Sequence, residues 1–550
     1  MDNSSINKIY DSVVRIEANI IQFDWTVPFI KSQTPTGSGS GFLIDDKGHI
    51  VTCFHVINQA VHLFVTLPKS GQKRIPASIV SIFPEMDIAV IKINLKQKTS
   101  FLEIGDSDKI KIGKEVLAIG YPLGQEKLKI TKGIVSGIQN TFIQIDASIN
   151  PGNSGGPLLY DGKVIAINTA KIVQIGTEGI GYANPINIFS NLKKRMFSKP
   201  TAPISSENSS IVSYIKNDIV RIESSSLGIL VDNCTKELME YYGTACPTGI
   251  QMTRVFDNSP LKIGEDPAKD GDILCKIEEF EIDNTGECTV PWNREKVNYN
   301  EVFDRLALKQ YSVTLEYYSI QEKIQEKTQE GGFIINNITD WLKNITSTRP
   351  PPNIHKIVGK KVKKTVPIVP TKSIFKIWKL YPPYDEVKYV SFGGIVMMNL
   401  SMNHIMLKNF QHLFYNYINK LDHNVVIITK ILPSSVKIDD ILEEGNVVSE
   451  INGIPIENIE DVEEALKKPI YRERPDGDHS CYFTLKTGLN TFYSIRLKKI
   501  VQEDVQLFQY LNYEPSEATK YFIKYSDSEP CLNESKQNSN TNTEDHIRLQ

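Results

Sequence analysis

The feature that most constrains this chain is a series of short β-branched runs over its first 200 residues: DSVVRIEA, SGFLID, HIVTCFHVI, MDIAVIKI, EVLAIGYP, TFIQIDAS and KVIAINTA. Gly, Pro and Asp turns separate them. Runs this short cannot supply long amphipathic helices, so their spacing predicts an all-β sandwich or barrel. At 550 residues the chain is long enough for about three to five domains. Past this β region, residues 205–320 mix strands with one helical candidate, YNEVFDRLAL, and 321–372 turn polar and then Pro- and Lys-rich, which predicts a linker or insertion. Strands return over 373–503 around the amphipathic stretch NIEDVEEALKK, and 504–550 read as a helix candidate followed by a disordered polar tail.

A weak repeat joins the second and fourth of these regions. GIQMTRVFDNSPLKI, followed by DPAKDGDILCKIEEFEIDN, aligns with VVIITKILPSSVKIDDILEEGNVVSEINGIPIEN, each with a glycine (Gly271, Gly445) opening a second strand. One small α+β module used twice is the expectation.

Charge excludes some partners. Lys and Arg total 62 against 65 Asp and Glu, a net charge of −3, so no global basic field draws in nucleic acid or an anionic membrane. The cluster Lys360, Lys361, Lys363, Lys364 reads as a solvated loop. Seven scattered cysteines without a CxxC pair argue against a zinc site and a disulfide framework, and fit a reducing compartment. The N-terminus has no signal-peptide pattern and no stretch reaches membrane-spanning length, so the expectation is a soluble, intracellular protein of undetermined compartment.

Chemistry concentrates in Asp146-Ala-Ser-Ile-Asn-Pro-Gly-Asn-Ser-Gly-Gly-Pro157, where Ser154 lies among glycines. A serine nucleophile needs an exposed hydroxyl and backbone N–H donors aimed at the developing oxyanion, and flanking glycines permit so sharp a bend. Gly152 and Ser154 would supply those donors. The string also fits the G-x-S-x-G elbow of α/β-hydrolases, but that order needs a histidine after the serine, and the next is His355, beyond the β-rich region. A His, Asp, Ser order instead leaves His49, His55 and His62 upstream. His55 follows the apolar strand VTCF, whereas His49 sits in a turn and His62 in an alternating strand. Of Asp87, Asp106, Asp108 and Asp146, only Asp87 opens an apolar strand, where a buried carboxylate can fix the imidazole tautomer.

Five segments, TGSGSGFLIDDKGHIVTCFHVI, MDIAVIKI, GDSDKIKIGKEVLAIGYPLG, DASINPGNSGGPLL and EGIGYANPI, resemble in content and order the HtrA/Deg trypsin-like serine proteases. FDWTVPFIKSQ, ECTVPWNREKVNYNEVF and GGIVMMNLSMNHI resemble the plant and fungal branch with two PDZ-like domains. The resemblance implies a chymotrypsin-like double β-barrel over residues 1–204, PDZ-like domains at 205–320 and 373–503, and a catalytic triad of His55, Asp87 and Ser154. It implies an ATP-independent endopeptidase acting on unfolded or misfolded polypeptides, with no cofactor and no metal. Ser148, six residues before the nucleophile, would be the floor of the primary pocket, favouring uncharged apolar side chains. Leu227-Gly228-Ile229 resembles the loop that captures a C-terminal carboxylate, with Phe392-Gly393-Gly394-Ile395 in its place in the second copy. Phe23, Trp25 and Phe29, in an early loop, suggest contacts between copies and a homo-oligomer built on trimers. The competing class is a latent or non-enzymatic chaperone or scaffold built from the same domains.

Overall fold

A computed structural model of the chain describes residues 3–33, 36–139, 142–169, 180–198, 212–215, 219–242, 248–324, 355–433, 438–473 and 479–524. Six strands form the first barrel: β1 Val13–Phe23, β2 Gly37–Leu43, β3 His49–Thr52, β4 Ala60–Thr66, β5 Ile75–Phe83 and β6 Ile88–Ile93. β1 pairs with β2 and β4, β5 with β4 and β6, and β3 with β2 and β6, so the ring closes on itself and leaves no edge within it. Val13, Val14, Ile16, Ala18, Phe42, Val51 and Val65 are all buried in its interior or beneath its neighbours. The second barrel, β7 Glu115–Gly120, β8 Lys129–Gln139, β9 Phe142–Ile145, β10 Pro157–Tyr160, β11 Lys163–Thr169 and β12 Gly181–Pro185, is likewise closed, in the order β9-β12-β11-β10-β7-β8. The fold is thus mainly β, with two six-stranded barrels, as the turn-punctuated runs predict. A helix, Ile186–Met196, follows and buries Ile186, Phe189, Leu192 and Met196.

The strand Ile219–Ile222 pairs in parallel with β5, setting Arg221 opposite Ile82. A segment placed by sequence in the second region thereby extends the first barrel's sheet. The first α+β unit then runs through strands Ile229–Asn233, Ile250–Val255, Ile273–Ile277 and Ser312–Ile324. Its helix, Tyr299–Ala307, lies where YNEVFDRLAL predicted one and starts on Asn298, whose side chain accepts the Asn300 N–H at 3.0 Å.

The Lys-rich stretch departs from expectation. His355–Pro367, expected to lie in a linker, is a strand paired in register with Ser312–Ile324. Val362 and Val366 point inward at alternate positions, while Lys361 reaches Glu316 at 2.8 Å and Lys360 reaches Asp266 at 2.7 Å. The lysines are largely exposed, as expected, but they stand on a strand rather than in a loop, with acidic side chains beside them.

The second α+β unit has the strands Tyr389–Phe392, Ile395–Asn399 and Val426–Ile431 in one sheet. A second sheet holds Val448–Ile451, Ile454–Pro455, Ile470–Glu473, His479–Thr487 and Phe492–Arg496. The NIEDVEEALKK stretch forms the helix Ile459–Leu466, closed by a capping box between Asn458 and Asp461. Helices Leu497–Leu511 and Glu517–Lys524 follow, and Ala518 and Phe522 join the core of this unit. The polar tail from 525 onward lies outside the described residues.

The early aromatic loop packs within its own chain. The Trp25 ring meets His404 edge-on at 5.5 Å, and Phe29 lies 4.5 Å from the Tyr513 ring. Val27 shares a cluster with Val396, Leu432, Leu507 and Tyr513 of the second α+β unit. His404 Nε2 donates to the Trp25 carbonyl at 3.1 Å, and burial holds its imidazole down at about 4, so it is neutral at ordinary pH.

Cys275 and Cys481 each take part in a disulfide, against the expectation of a chain without a disulfide framework, while Cys53, Cys234 and Cys288 are free. Sequence spacing does not reveal pairing, because the distance between Cα atoms in the fold decides it. Among the described residues no helix is long and apolar enough to cross a membrane.

Candidate active site

His55 belongs to a single helical turn, Phe54–Ile57, that follows β3. Asp87 ends the tight turn from Pro84, donating its N–H to the Pro84 carbonyl at 3.2 Å, with its backbone at φ +55°. A non-glycine residue in that region persists only where its surroundings hold it. Here Phe54 N–H donates to the Asp87 carbonyl at 3.1 Å, and Asn184 Nδ2 donates to that of Met86 at 3.1 Å.

Asp87 grips His55 twice. Its Oδ1 accepts the His55 N–H at 2.8 Å, and its Oδ2 lies 2.7 Å from His55 Nδ1. An ionised carboxylate only accepts, so Nδ1 carries the proton and Nε2 is left with its lone pair. Thr169 Oγ1 donates to the same Oδ2 at 3.3 Å, and Asp87 is 6% exposed. These contacts suit a carboxylate that orients an imidazole rather than one that itself exchanges protons with substrate.

Ser154 lies in a turn held by Asn153 N–H to Asn150 O at 2.9 Å and Gly156 N–H to Asn153 O at 3.0 Å. Gly152 adopts φ +99°, and a Cβ there would stand 2.4 Å from the Tyr121 carbonyl oxygen, so only glycine fits. Leu123 N–H donates to the Pro151 carbonyl at 2.6 Å. In a trans peptide C=O and N–H point oppositely, so the Gly152 N–H is turned away from Leu123.

Ser40 is the residue that sequence reasoning missed. Its N–H donates to the Ser154 carbonyl at 2.8 Å, its Oγ to the Gly152 carbonyl at 2.7 Å, and its own carbonyl accepts Thr52 Oγ1 at 2.7 Å. It ties the serine turn of one barrel to β2 of the other. The signal was the glycine-flanked TGSGSGF run, whose small residues let two backbones approach.

The rejected alternatives sit elsewhere. His49 pairs with Asp45 at 2.6 Å and His62 is exposed beside Phe64. Asp106 takes Asn187 Nδ2 at 2.8 Å, Asp108 pairs with Arg305, and Asp146 accepts the Ile134 N–H at 2.6 Å. Ser148 is exposed between buried Ala147 and Ile149, its carbonyl accepting Thr131 Oγ1 at 3.3 Å. Leu227-Gly228-Ile229 leads into the edge strand Ile229–Asn233, but Pro370–Ile374 lies over it: Ser225 bridges Pro370, and a Cβ on Gly228 would meet Ile374 Cγ2 at 2.9 Å.

Cys53, His55 and Asp87 bring S, N and O atoms within 4.8 Å of one another. This is a poor metal set, because His55 Nδ1 and Asp87 are spent on each other and burial pushes the Cys53 thiol well up.

Residues 39–167 match the trypsin-like peptidase domain. A probable periplasmic serine endoprotease, DegP-like, of Rickettsia prowazekii (strain Madrid E) is 33% identical over 266 residues, spanning 46% of this chain and 47% of that protein. The serine protease Do-like HtrA of Bacillus subtilis (strain 168) is 32% identical over 273 residues, spanning 46% and 57%. The chain thus spans about half the length of the curated relatives it matches. A solved HtrA-type protease AlgW with decapeptide overlaps at TM-score 0.44 and 22% identity, covering 66% of this chain and 97% of that one. The double-barrel region that carries His55, Asp87 and Ser154 is thus similar to the HtrA/DegP-like trypsin-like serine proteases.

Proposed function

We propose that the chain is a serine endoprotease of HtrA/DegP type acting through His55, Asp87 and Ser154. The observation that carries this reading is the doubly bonded His55–Asp87 pair, with Nδ1 2.7 Å from the carboxylate, in a region matching the trypsin-like peptidase domain. His55 Nε2 takes the Ser154 proton as Oγ attacks the scissile carbonyl and returns it to the leaving amine. Asp87 steadies the imidazolium formed between the two steps. The N–H groups of Gly152 and Ser154 receive the oxyanion. Unfolded or misfolded polypeptides are the proposed substrates, with Ser148 at the primary pocket favouring apolar side chains and needing no cofactor beside it.

Apolar C-terminal peptides are the proposed ligands of Leu227-Gly228-Ile229, since solved HtrA-type relatives carry bound tripeptides and decapeptides. The cover over Gly228 favours a second reading, in which the resting chain is a latent binder or chaperone until that loop is freed. Assembly into trimers and placement beside plant and fungal two-PDZ proteases rest on resemblance of loop strings alone. The test is labelling with a fluorophosphonate, which reacts only with an activated serine. Labelling that Ser154→Ala abolishes supports the protease, and no labelling of the unaltered chain, with or without apolar C-terminal peptide, overturns it.

A further inference from the structure

Arg221 is 1% exposed, and burying a guanidinium is expensive unless its donors are met. Its hydrogen bond among the described residues goes from Nη1 to Asp385 Oδ1. Nη2 faces Glu85 at 3.6 Å and Nε faces Glu223 at 4.0 Å, both as ion pairs without a hydrogen bond from Arg221. The guanidinium also lies over the rings of Trp378 at 5.5 Å and Tyr381 at 5.8 Å. Three of its contacts therefore come from one short segment, Trp378–Asp385, that precedes the second α+β unit.

That segment is itself braced by the same carboxylate. Asp385 Oδ2 accepts the Tyr381 N–H at 2.8 Å, and the Asp385 N–H donates to the Tyr381 carbonyl at 3.0 Å. The turn so closed presses two aromatic rings on Phe54, the residue before His55: Tyr381 edge-on at 5.5 Å and Tyr384 at 5.7 Å. On the other side, Glu85 lies inside the Pro84–Asp87 turn, whose Asp87 holds a backbone conformation that needs outside support. Arg221 thus touches the turn of the catalytic acid, and the segment it anchors touches the neighbour of the catalytic base.

We propose that Arg221 is a positioning residue, which through Asp385 and Glu85 fixes the Phe54–His55 turn against the Pro84–Asp87 turn, so that the triad's geometry depends on Trp378–Asp385. The inference rests on the protease reading above. Neither Arg221 nor Asp385 belongs to the proposed substrate contacts. Loosening them disturbs the His55–Asp87 geometry while leaving substrate binding alone.

The test uses the full chain, with kcat and KM on an apolar peptide substrate, the rate of fluorophosphonate labelling, and the melting temperature. Asp385→Asn keeps shape and removes the charge, Asp385→Glu keeps the charge, and Arg221→Met removes the guanidinium. The expected result is a drop of about ten-fold or more in kcat and labelling rate for Asp385→Asn with KM unchanged, and substantial recovery in Asp385→Glu. If Arg221→Met fails to fold, the two Asp385 variants still decide. A lower melting temperature in Asp385→Asn with unchanged kcat and labelling rate makes the cluster a mere structural tie and overturns the proposal. An unaltered chain that labels while the Asp385 variants label equally fast sinks this inference alone, whereas an unaltered chain that does not label sinks the protease reading and this inference with it.

Discussion

In the first α+β unit the Phe256 N–H reaches the Gly228 carbonyl at 3.0 Å, and in the second the Leu432 N–H reaches that of Gly394 at 2.8 Å. Gly271 donates to the Met252 carbonyl at 2.7 Å and Gly445 to that of Ile428 at 2.8 Å, so the loop and the strand behind it are built alike in both. What covers the loop differs. In the first unit Pro370–Ile374 lies across it, held by Thr371 N–H and Oγ1 donating to the Ser224 carbonyl at 2.9 and 3.0 Å. In the second, the Gly393 N–H donates at 2.9 Å to Asp504 Oδ1, from the helix Leu497–Leu511. Asp504 is fully buried and also accepts Tyr513 OH at 2.9 Å and Thr519 Oγ1 at 2.5 Å. A carboxylate from within the chain already holds the Gly393 N–H. One loop is closed by a surface strap and the other by a buried plug, so like sequences need not be like sites.

The plug should break most expensively. Asp504→Ala leaves a buried N–H and two hydroxyls without their acceptor, for a loss of about 3–4 kcal/mol. Calorimetry should show the melting temperature falling accordingly, and a variant melting with the unaltered chain would mean that Asp504 is incidental.

The strap is anchored further along by Arg221 and Asp385, where Glu85 makes stability depend on pH. Desolvation pushes the Glu85 carboxyl up to about 7, with Arg221 opposing the shift and the Glu223 and Asp385 charges adding to it. A folded pKa above the unfolded one means that Glu85 holds its proton more tightly when folded. Its stabilising contribution is therefore full below about pH 4.5 and lost as pH rises through about 7. Glu85→Gln, neutral throughout, should match the unaltered chain near pH 4.5 and exceed it at pH 8 by about 2 kcal/mol, allowing for solvent screening. Denaturant titrations at the two pH values check this. A less stable variant at pH 8 would show that the Arg221 pair outweighs desolvation.

Gly393 and Gly228 isolate the neighbours, since both have left-handed backbones, at φ +61° and +65°. A Cβ on Gly393 would stand 2.0 Å from Ile500 Cγ1, whereas on Gly228 it would stand 2.9 Å from Ile374 Cγ2. Backbone strain is common to both, so Gly393→Ala should cost about 2 kcal/mol and Gly228→Ala about 1 kcal/mol in equilibrium unfolding. Equal losses would mean that the strap is packed as tightly as the plug.

The barrels and the His55–Asp87 pair were legible because their signals are local or ordered. β-branched runs between turns dictate closed sheets, and only one histidine followed an apolar strand ahead of Asp87 and Ser154. The closures were not legible, since each joins residues far apart in sequence whose pairing only the fold creates. Asp504 looks like one acid in an amphipathic helix until it meets Gly393. Lys360–Lys364 read as a loop because the strand they pair with, and the acids Glu316 and Asp266 beside them, come from other segments. Trp25 and Phe29 read as contacts between copies, when His404 and Tyr513 of the same chain receive them. Ser40 was hidden for the same reason, since the Gly152 and Ser154 carbonyls it holds lie more than 100 residues along the chain.

The smallest effect tests whether the strap opens at all. Thr371→Val keeps the side chain's volume and the backbone bond to Ser224, but removes the hydroxyl that donates to the Ser224 carbonyl and lies 3.1 Å from Ser224 Oγ. Such a bond at a half-buried site is worth about 0.5–1 kcal/mol. If peptide binds only chains whose strap has lifted, apparent affinity scales with the lifted fraction, and that cost becomes a gain of about two- to five-fold in affinity. Anisotropy of a labelled peptide with an apolar C-terminus should show this gain in Thr371→Val. It should show none in Leu432→Val, which alters the second loop while leaving its carboxylate plug in place. Unchanged affinity in Thr371→Val would mean that the strap is a fixed part of the first unit, and that the two loops, however differently covered, are both joints.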